Sequence, residues 1–144
     1  MNWPSQTRLS TLARDNGLAD FQRRLAAIPK AVRAGVQPAL DASADELVTV
    51  QRALAPRDHG TLQASIKWAT TGELSRQVTA GGETTTRPAR DGQGEYDYAL
   101  GQEFGTRQTP AQPFFYSGYR LVRKRIRSRI KRAISKSVRA SYGK

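Results

Sequence analysis

Glu103 is the last acidic residue of the 144-residue chain, and from Phe104 to Lys144 there are twelve Lys or Arg and no Asp or Glu. The remaining 12 basic and 12 acidic residues cancel over 1–103, so the whole net charge of +12 lies beyond Glu103. This cationic end carries a strict spacing. Phe115, Tyr119, Val122, Ile126, Ile130, Ala133, Ile134 and Val138 recur at intervals of 3 and 4, which predicts a basic amphipathic helix over 114–140 with a narrow apolar stripe. At 1.5 Å per residue such a helix is about 40 Å long, more than a domain of this size is expected to cover. Gly118 weakens its first turns by about 1 kcal/mol relative to Ala and marks a candidate bend. The cations from Arg120 to Arg139 point in every direction except the stripe. The i,i+4 pairs Arg120–Lys124, Arg123–Arg127, Arg125–Arg129 and Arg127–Lys131 each cost a few tenths of a kcal/mol, roughly, in like-charge repulsion. Relief has to come from outside the helix: an acidic partner surface, a phosphate backbone, or solvent and salt. Arg120, Arg123, Lys124, Arg127, Lys131 and Arg132 are the candidate contacts.

The charge boundary is also an aromatic boundary. Residues 96–119 hold Tyr96, Tyr98, Phe104, Phe114, Phe115, Tyr116 and Tyr119, seven of the eleven aromatics, a concentration typical of an anchored core segment or an interface. Tyr98 to Phe104 reads as a short helix with Tyr98, Leu100 or Gly101, and Phe104 on one apolar face. Gly105 suits a helix stop in the left-handed conformation. Thr109 to Pro113 is extended and launches the basic helix outward, with Pro113 at or beside its first position. Glu103, the one carboxylate between Tyr98 and Phe115, is expected to pair with an arginine or with backbone donors and lock the turn. Phe114 and Phe115 are the expected anchors.

Upstream, residues 1–16 read as a polar arm and 17–113 as a globular part. Leu18, Phe21, Leu25 and Ile28 mark one helix, and Pro29 breaks it. Val32, Val36, Leu40, Leu47, Val50 and Leu54 stripe a second, kinked or restarted at Pro38 and ended at Pro56. The stretch 55–62 is turn chemistry, with a short turn of helix over 61–65. Residues 66–70 and 74–80 alternate as strands around a Thr71–Glu73 turn and need the helices to cover them. Gly81 to Gly94, with four glycines and nothing aliphatic larger than Ala, reads as a mobile loop within which Thr84–Arg87 could prolong the hairpin. The expectation is a single α+β domain, 1–144: a small antiparallel sheet, two N-terminal helices packed on it, and a long basic C-terminal helix.

Function classes narrow quickly. There is no cysteine, so no disulfide or thiolate metal site. The lone His59, beside Asp58 in a turn, lacks a partner for acid–base work and is expected to be a turn residue. No nucleotide loop or nucleophile elbow is present, and Gly92-Gln93-Gly94 is a bare G-x-G. An enzyme, a cofactor and a metal site are not expected. The start is polar and no apolar run reaches the length of a membrane span, so a soluble protein made in the cytoplasm is expected. Membrane-surface binding by the basic helix is disfavoured by its narrow apolar face without Trp. Specific DNA reading lacks a second element to set register on a groove.

Two segments carry a family resemblance. Tyr98-Ala99, Glu103-Phe104-Gly105-Thr106 and Pro110-Ala111-Gln112-Pro113-Phe114-Phe115 resemble the Y-A, E-F-G-T and P-A-x-P-F signature of head–tail joining proteins of long-tailed bacteriophages and related tail-like particles, also called tail-completion, neck or minor tail proteins. Leu54 to Leu62 with Ser65-Ile66 resembles the same family's A-P-x-x-T-G-x-L-x-x-S-I segment, with His59 where Thr is common. With the flanking helices, the resemblance spans about 17–140. It implies a non-enzymatic virion subunit that joins the head connector to the tail tube as a ring, of six subunits, around the DNA passage. The implied partners are copies of itself, connector or head-closure proteins, and tail tube or terminator proteins, with non-specific DNA contact open and no membrane. The loop over 81–94 could then order on assembly. The reading from a different class is a small basic nucleic-acid-binding protein.

Overall fold

The computed structural model describes residues 18–57 and 60–142; the polar arm and the Asp58–His59 turn lie outside the described residues. Pro29, at φ −54° and ψ 139°, separates helix α1 (Leu18–Ala26) from α2 (Lys30–Leu54). α2 runs through Pro38 without restarting. Pro38 has no N–H, so the Ala34 carbonyl goes without its helical donor. Then follow α3 (Thr61–Ser65), β1 (Lys67–Gly72), β2 (Ser75–Thr79), a 3-10 turn (Glu83–Thr85), β3 (Thr86–Pro88), β4 (Glu95–Asp97), α4 (Tyr98–Phe104) and α5 (Phe115–Tyr142). The class is α+β.

β1 and β2 pair antiparallel with Trp68 opposite Val78. Thr71 bulges, so Gly72 pairs with Ser75 and the turn is the two residues Glu73-Leu74, displaced from the expected Thr71–Glu73. Ile66 is buried, and Trp68, Arg76, Val78 and Ala80 are partly buried between exposed neighbours, the alternation of a strand pair covered on one face.

The expected single sheet is two sheets. The stretch read as an unbroken loop over 81–94 contains the 3-10 turn and β3, and β3 pairs antiparallel with β4 instead of prolonging the first hairpin. The cause is Asp97, which lies outside the glycine-rich stretch. Its carboxylate accepts from Gly82 N (2.9 Å), Thr85 Oγ1 (2.7 Å) and Ala99 N (2.9 Å), fastening the turn to the start of α4. Thr85 is fully buried there.

The second N-terminal helix, α2, covers β1–β2, and its larger contact is with α5. The two helices run antiparallel: Gly118 lies against Gln51, Arg129 against Ser43 and Glu46, and Ser137 against Gly35. α5 is therefore folded back along the domain, contrary to the expectation that it projects outward, because α2 offers a lane of small and polar residues. Past Leu40 the buried face of α2 is Ser43, Ala44, Val48 and Gln51, while Leu54 of the expected stripe is 42% exposed. Gly118 does not interrupt α5, which is continuous over 28 residues. A Cβ at Gly118 would sit 2.7 Å from Gln51 Cγ and 3.3 Å from its Cα, so glycine sets how closely the helices meet.

The core joins these layers. Val48, Ala55, Leu62, Ile66, Ala99 and Phe114 cluster, with Trp68, Val78, Ala80, Tyr98 and Phe115 packed around them.

Candidate assembly interface

The junction between α4 and α5 is organised by Glu103. Its side chain is buried, with 7% of the residue exposed. Oε2 accepts from the backbone N–H of Phe114 and of Phe115, each at 2.8 Å, and Oε1 accepts from Tyr116 N at 3.1 Å. A carboxylate thus takes three of the donors that the first turn of a helix leaves unpaired, at the end where the helix dipole favours negative charge. Of the two partners expected for Glu103, the structure supplies backbone donors and no arginine.

The cap explains the orientation of α4. With Asp97 as its N-cap, the helix buries Ala99 and Glu103 one turn apart. That rotation turns Leu100 and Phe104 to solvent, 60% and 66% exposed, which corrects the expected apolar face of Tyr98, Leu100 or Gly101, and Phe104. Gly105 stops α4 at φ 78° and ψ 169°, a positive φ with an extended ψ, not the left-handed helical cap expected. A Cβ there would meet Ala111 N at 2.9 Å, so the backbone itself occupies that space. The loop then returns over α4: Thr106 N donates to the Thr109 carbonyl at 2.8 Å and Gln112 N to the Gln102 carbonyl at 2.7 Å. Thr106 Oγ1 also accepts from Thr109 N. Pro110, Ala111 and Pro113 are exposed, Phe114 is buried with 1% exposed, and Phe115 and Tyr98 are half-buried.

An exposed apolar patch surrounds the cap. Phe104 and Tyr116, with ring centroids 6.3 Å apart, lie beside Leu100, and with Ala80, Ala99 and Phe115 they line a shallow cavity of about 160 Å³. Tyr116 is 51% exposed.

The cations of α5 divide into two groups. Arg125 and Arg129 both reach the mostly buried Glu46 of α2, Arg129 at 2.6 Å, and Arg129 also donates to Ser43 Oγ at 3.2 Å. Burial works to raise the Glu46 pKa, but its hydrogen bonds and charge attraction with Arg129 and Arg125 outweigh it and hold the carboxyl below its ordinary value. One of the four like-charge pairs, Arg125–Arg129, is bridged in this way by an acid of the same chain, a source of relief the sequence reading did not weigh. The six sequence candidates, Arg120, Arg123, Lys124, Arg127, Lys131 and Arg132, are all exposed, and none forms an ion pair among the described residues.

Three further residues that hold this arrangement escaped the sequence reading. Asp97 ties the 3-10 turn to α4, Glu46 ties α2 to α5, and the fully buried Gln51 donates from Nε2 to the Phe115 carbonyl at 2.9 Å. The small residues at the two ends of the contact, Gly35 opposite Ser137 and Gly118 opposite Gln51, were the available sign of closely packed helices. Among the described residues no group of three or more His, Cys, Asp or Glu is placed to hold a metal ion.

A family model described as Bacteriophage HK97-gp10, putative tail-component, matches residues 19–105. The chain belongs to this HK97-gp10-like family. It is accordingly a structural protein of a bacteriophage tail and so of the virion. The family match takes in α1 to α4 and ends at Gly105, so the E-F-G element lies inside it, while Pro110–Phe115 and α5 lie past it. No curated protein and no solved structure matches the chain. No helix among the described residues is long and apolar enough to cross a membrane.

Proposed function

We propose that this tail component is a joining subunit at the head–tail interface, a single domain that assembles with copies of itself as a ring, six by family resemblance, between the head connector and the tail tube. The observation that carries this reading is the Glu103-capped junction. A buried carboxylate rigidly fixes the first turn of α5 and leaves Leu100, Phe104 and Tyr116 facing solvent beside it. Large apolar side chains held on a rigid frame suit contact with another subunit better than they suit a lone monomer. A patch of this kind that meets a different surface of the next copy makes a head-to-tail contact, and such contacts form a ring where the rotation between copies closes. The work is binding, and Tyr98, Glu103, Phe104, Gly105, Thr106, Pro110, Ala111, Pro113, Phe114 and Phe115 frame the interface.

Negative-stain imaging and mass measurement of the purified protein, and of virion necks carrying labelled subunits, test this. Closed rings of the wild-type chain, lost in Phe104→Ser/Tyr116→Ser protein that remains folded, are expected. Label on the tail shaft instead of the neck would refute the position. The exposed cations of α5 favour one other reading, a small basic nucleic-acid-binding protein. Tight duplex binding by the monomer, with an affinity falling steeply with salt, would support that reading against the first.

A further inference from the structure

α5 touches α2 along one flank, and among the described residues nothing covers the next flank. On it Tyr119, Ile126, Ile130 and Ile134 stand beside Arg123, Arg127 and Lys131, and together they border a surface groove lined by α5 alone. Tyr119 and Ile134 are 43% and 44% exposed, and Val138 continues the row at 39%. These residues form two neighbouring i,i+4 rows, one aliphatic and one cationic, and the furrow between such rows is the shape that receives the ridge of a second helix.

We propose that this flank seats an amphipathic helix with an acidic edge, contributed by a protein other than this chain. Three observations select that occupant. The groove is helical in its geometry. Its apolar row gains little from a phosphate backbone, whereas a helix can cover the isoleucines and meet the arginines at once. The described part of the chain lacks the acid to do so. Among the described acids only Glu83, Asp91 and Glu95 have neither a cation nor a tie to a distant segment. All three lie between residues 83 and 95, a segment that also holds Arg87 and Arg90 and so carries a net charge of only −1. Facing them on a second copy are nine exposed cations between Arg120 and Arg139, of which Arg125 alone is tied to Glu46, so self-association leaves most of that charge unmatched. The inference does not depend on the ring or on its position in the virion.

The probe is a synthetic peptide of about three heptads with Leu at the seam and Glu on both edges, and its control carries Lys in place of Glu. Binding to the full chain is followed by fluorescence anisotropy, beside a duplex DNA fragment. The Glu peptide is expected to bind and the Lys peptide to fail. Arg127→Glu/Lys131→Glu, at two exposed positions, weakens the Glu peptide by more than about tenfold, and Ile134→Ser by about tenfold. Any duplex binding falls in the charge-reversed protein and is unchanged by Ile134→Ser. Circular dichroism confirms that each variant keeps the parent helix content. A peptide affinity indifferent to Ile134→Ser, or a duplex bound more tightly than the Glu peptide, overturns the proposal and assigns the flank to charge alone.

Discussion

Replacing Glu103 tests the junction most directly. In Glu103→Ala protein the N–H groups of Phe114, Phe115 and Tyr116 lose their acceptor together. Loss of a helix cap costs about 0.5–2 kcal/mol, and a buried donor left without an acceptor costs about 1–3 kcal/mol. Tyr116 is half in solvent, so water can serve its amide, while the Phe114 amide is buried. The sum for Glu103→Ala is about 2–4 kcal/mol. Glu103→Gln keeps one oxygen where Oε2 receives two of the bonds, but it removes the charge at the helix terminus and turns an amide donor toward Tyr116 N. That change costs about 1–2 kcal/mol. For a chain of this length 1 kcal/mol moves the melting temperature by about 4 °C, so the expected drops are about 8–16 °C for Ala and 4–8 °C for Gln. Differential scanning calorimetry reads both, at a concentration where parent and variants share one oligomeric state. Variants that melt within about 1 °C of the parent would refute the cap as the fastening of α5.

Other positions separate core from surface. Phe114→Ala should lose about 3–5 kcal/mol in urea unfolding, whereas Phe104→Ala, at an exposed site, should stay within about 0.5 kcal/mol. Gly118→Ala gains about 1 kcal/mol of helix propensity but forces its Cβ onto Gln51, which is fully buried and bonded to the Phe115 carbonyl. A net loss of about 1–2 kcal/mol is expected, and a rise in melting temperature would show the α2–α5 crossing to be looser than described. Glu46 has a folded-state pKa below its ordinary 4.5, so its stabilisation is complete above that value and is lost as pH falls through the lower folded value. Glu46→Gln should therefore be less stable than the parent at pH 7, and the gap should close in acid; a gap that persists there would refute the assignment to the charge pair.

Because Glu103 and Glu46 are spent on α5, one at its first turn and one at its middle, the helix is held at two points along its length. Its remaining cations and its isoleucine flank are thereby presented at fixed spacing, which lowers the entropy a partner must overcome.

What the sequence determined was whatever short-range chemistry controls. The break at Pro29, the strand pair and the long C-terminal helix follow from proline geometry, alternation and 3–4 spacing read over a dozen residues, and the aromatic concentration marked Phe114 as an anchor. Glu103 was legible as a locking residue because it is the one carboxylate between Tyr98 and the basic helix. What only the tertiary structure decided was which faces meet. The side of α2 that carries Ser43, Ala44 and Gln51 is less apolar than the side with Leu47, Val50 and Leu54, and periodicity alone ranks the second side as core. Close approach of α5 reversed that ranking, since Gly118 can reach a backbone that leucines would hold away. The same holds for charge. A run of cations without acids on its own helix looks unpartnered in sequence, yet Glu46 stands 79 and 83 positions from Arg125 and Arg129 and meets both in space. Pairings between residues that far apart leave no local trace, because they depend on how the helices cross and not on any one segment's preference.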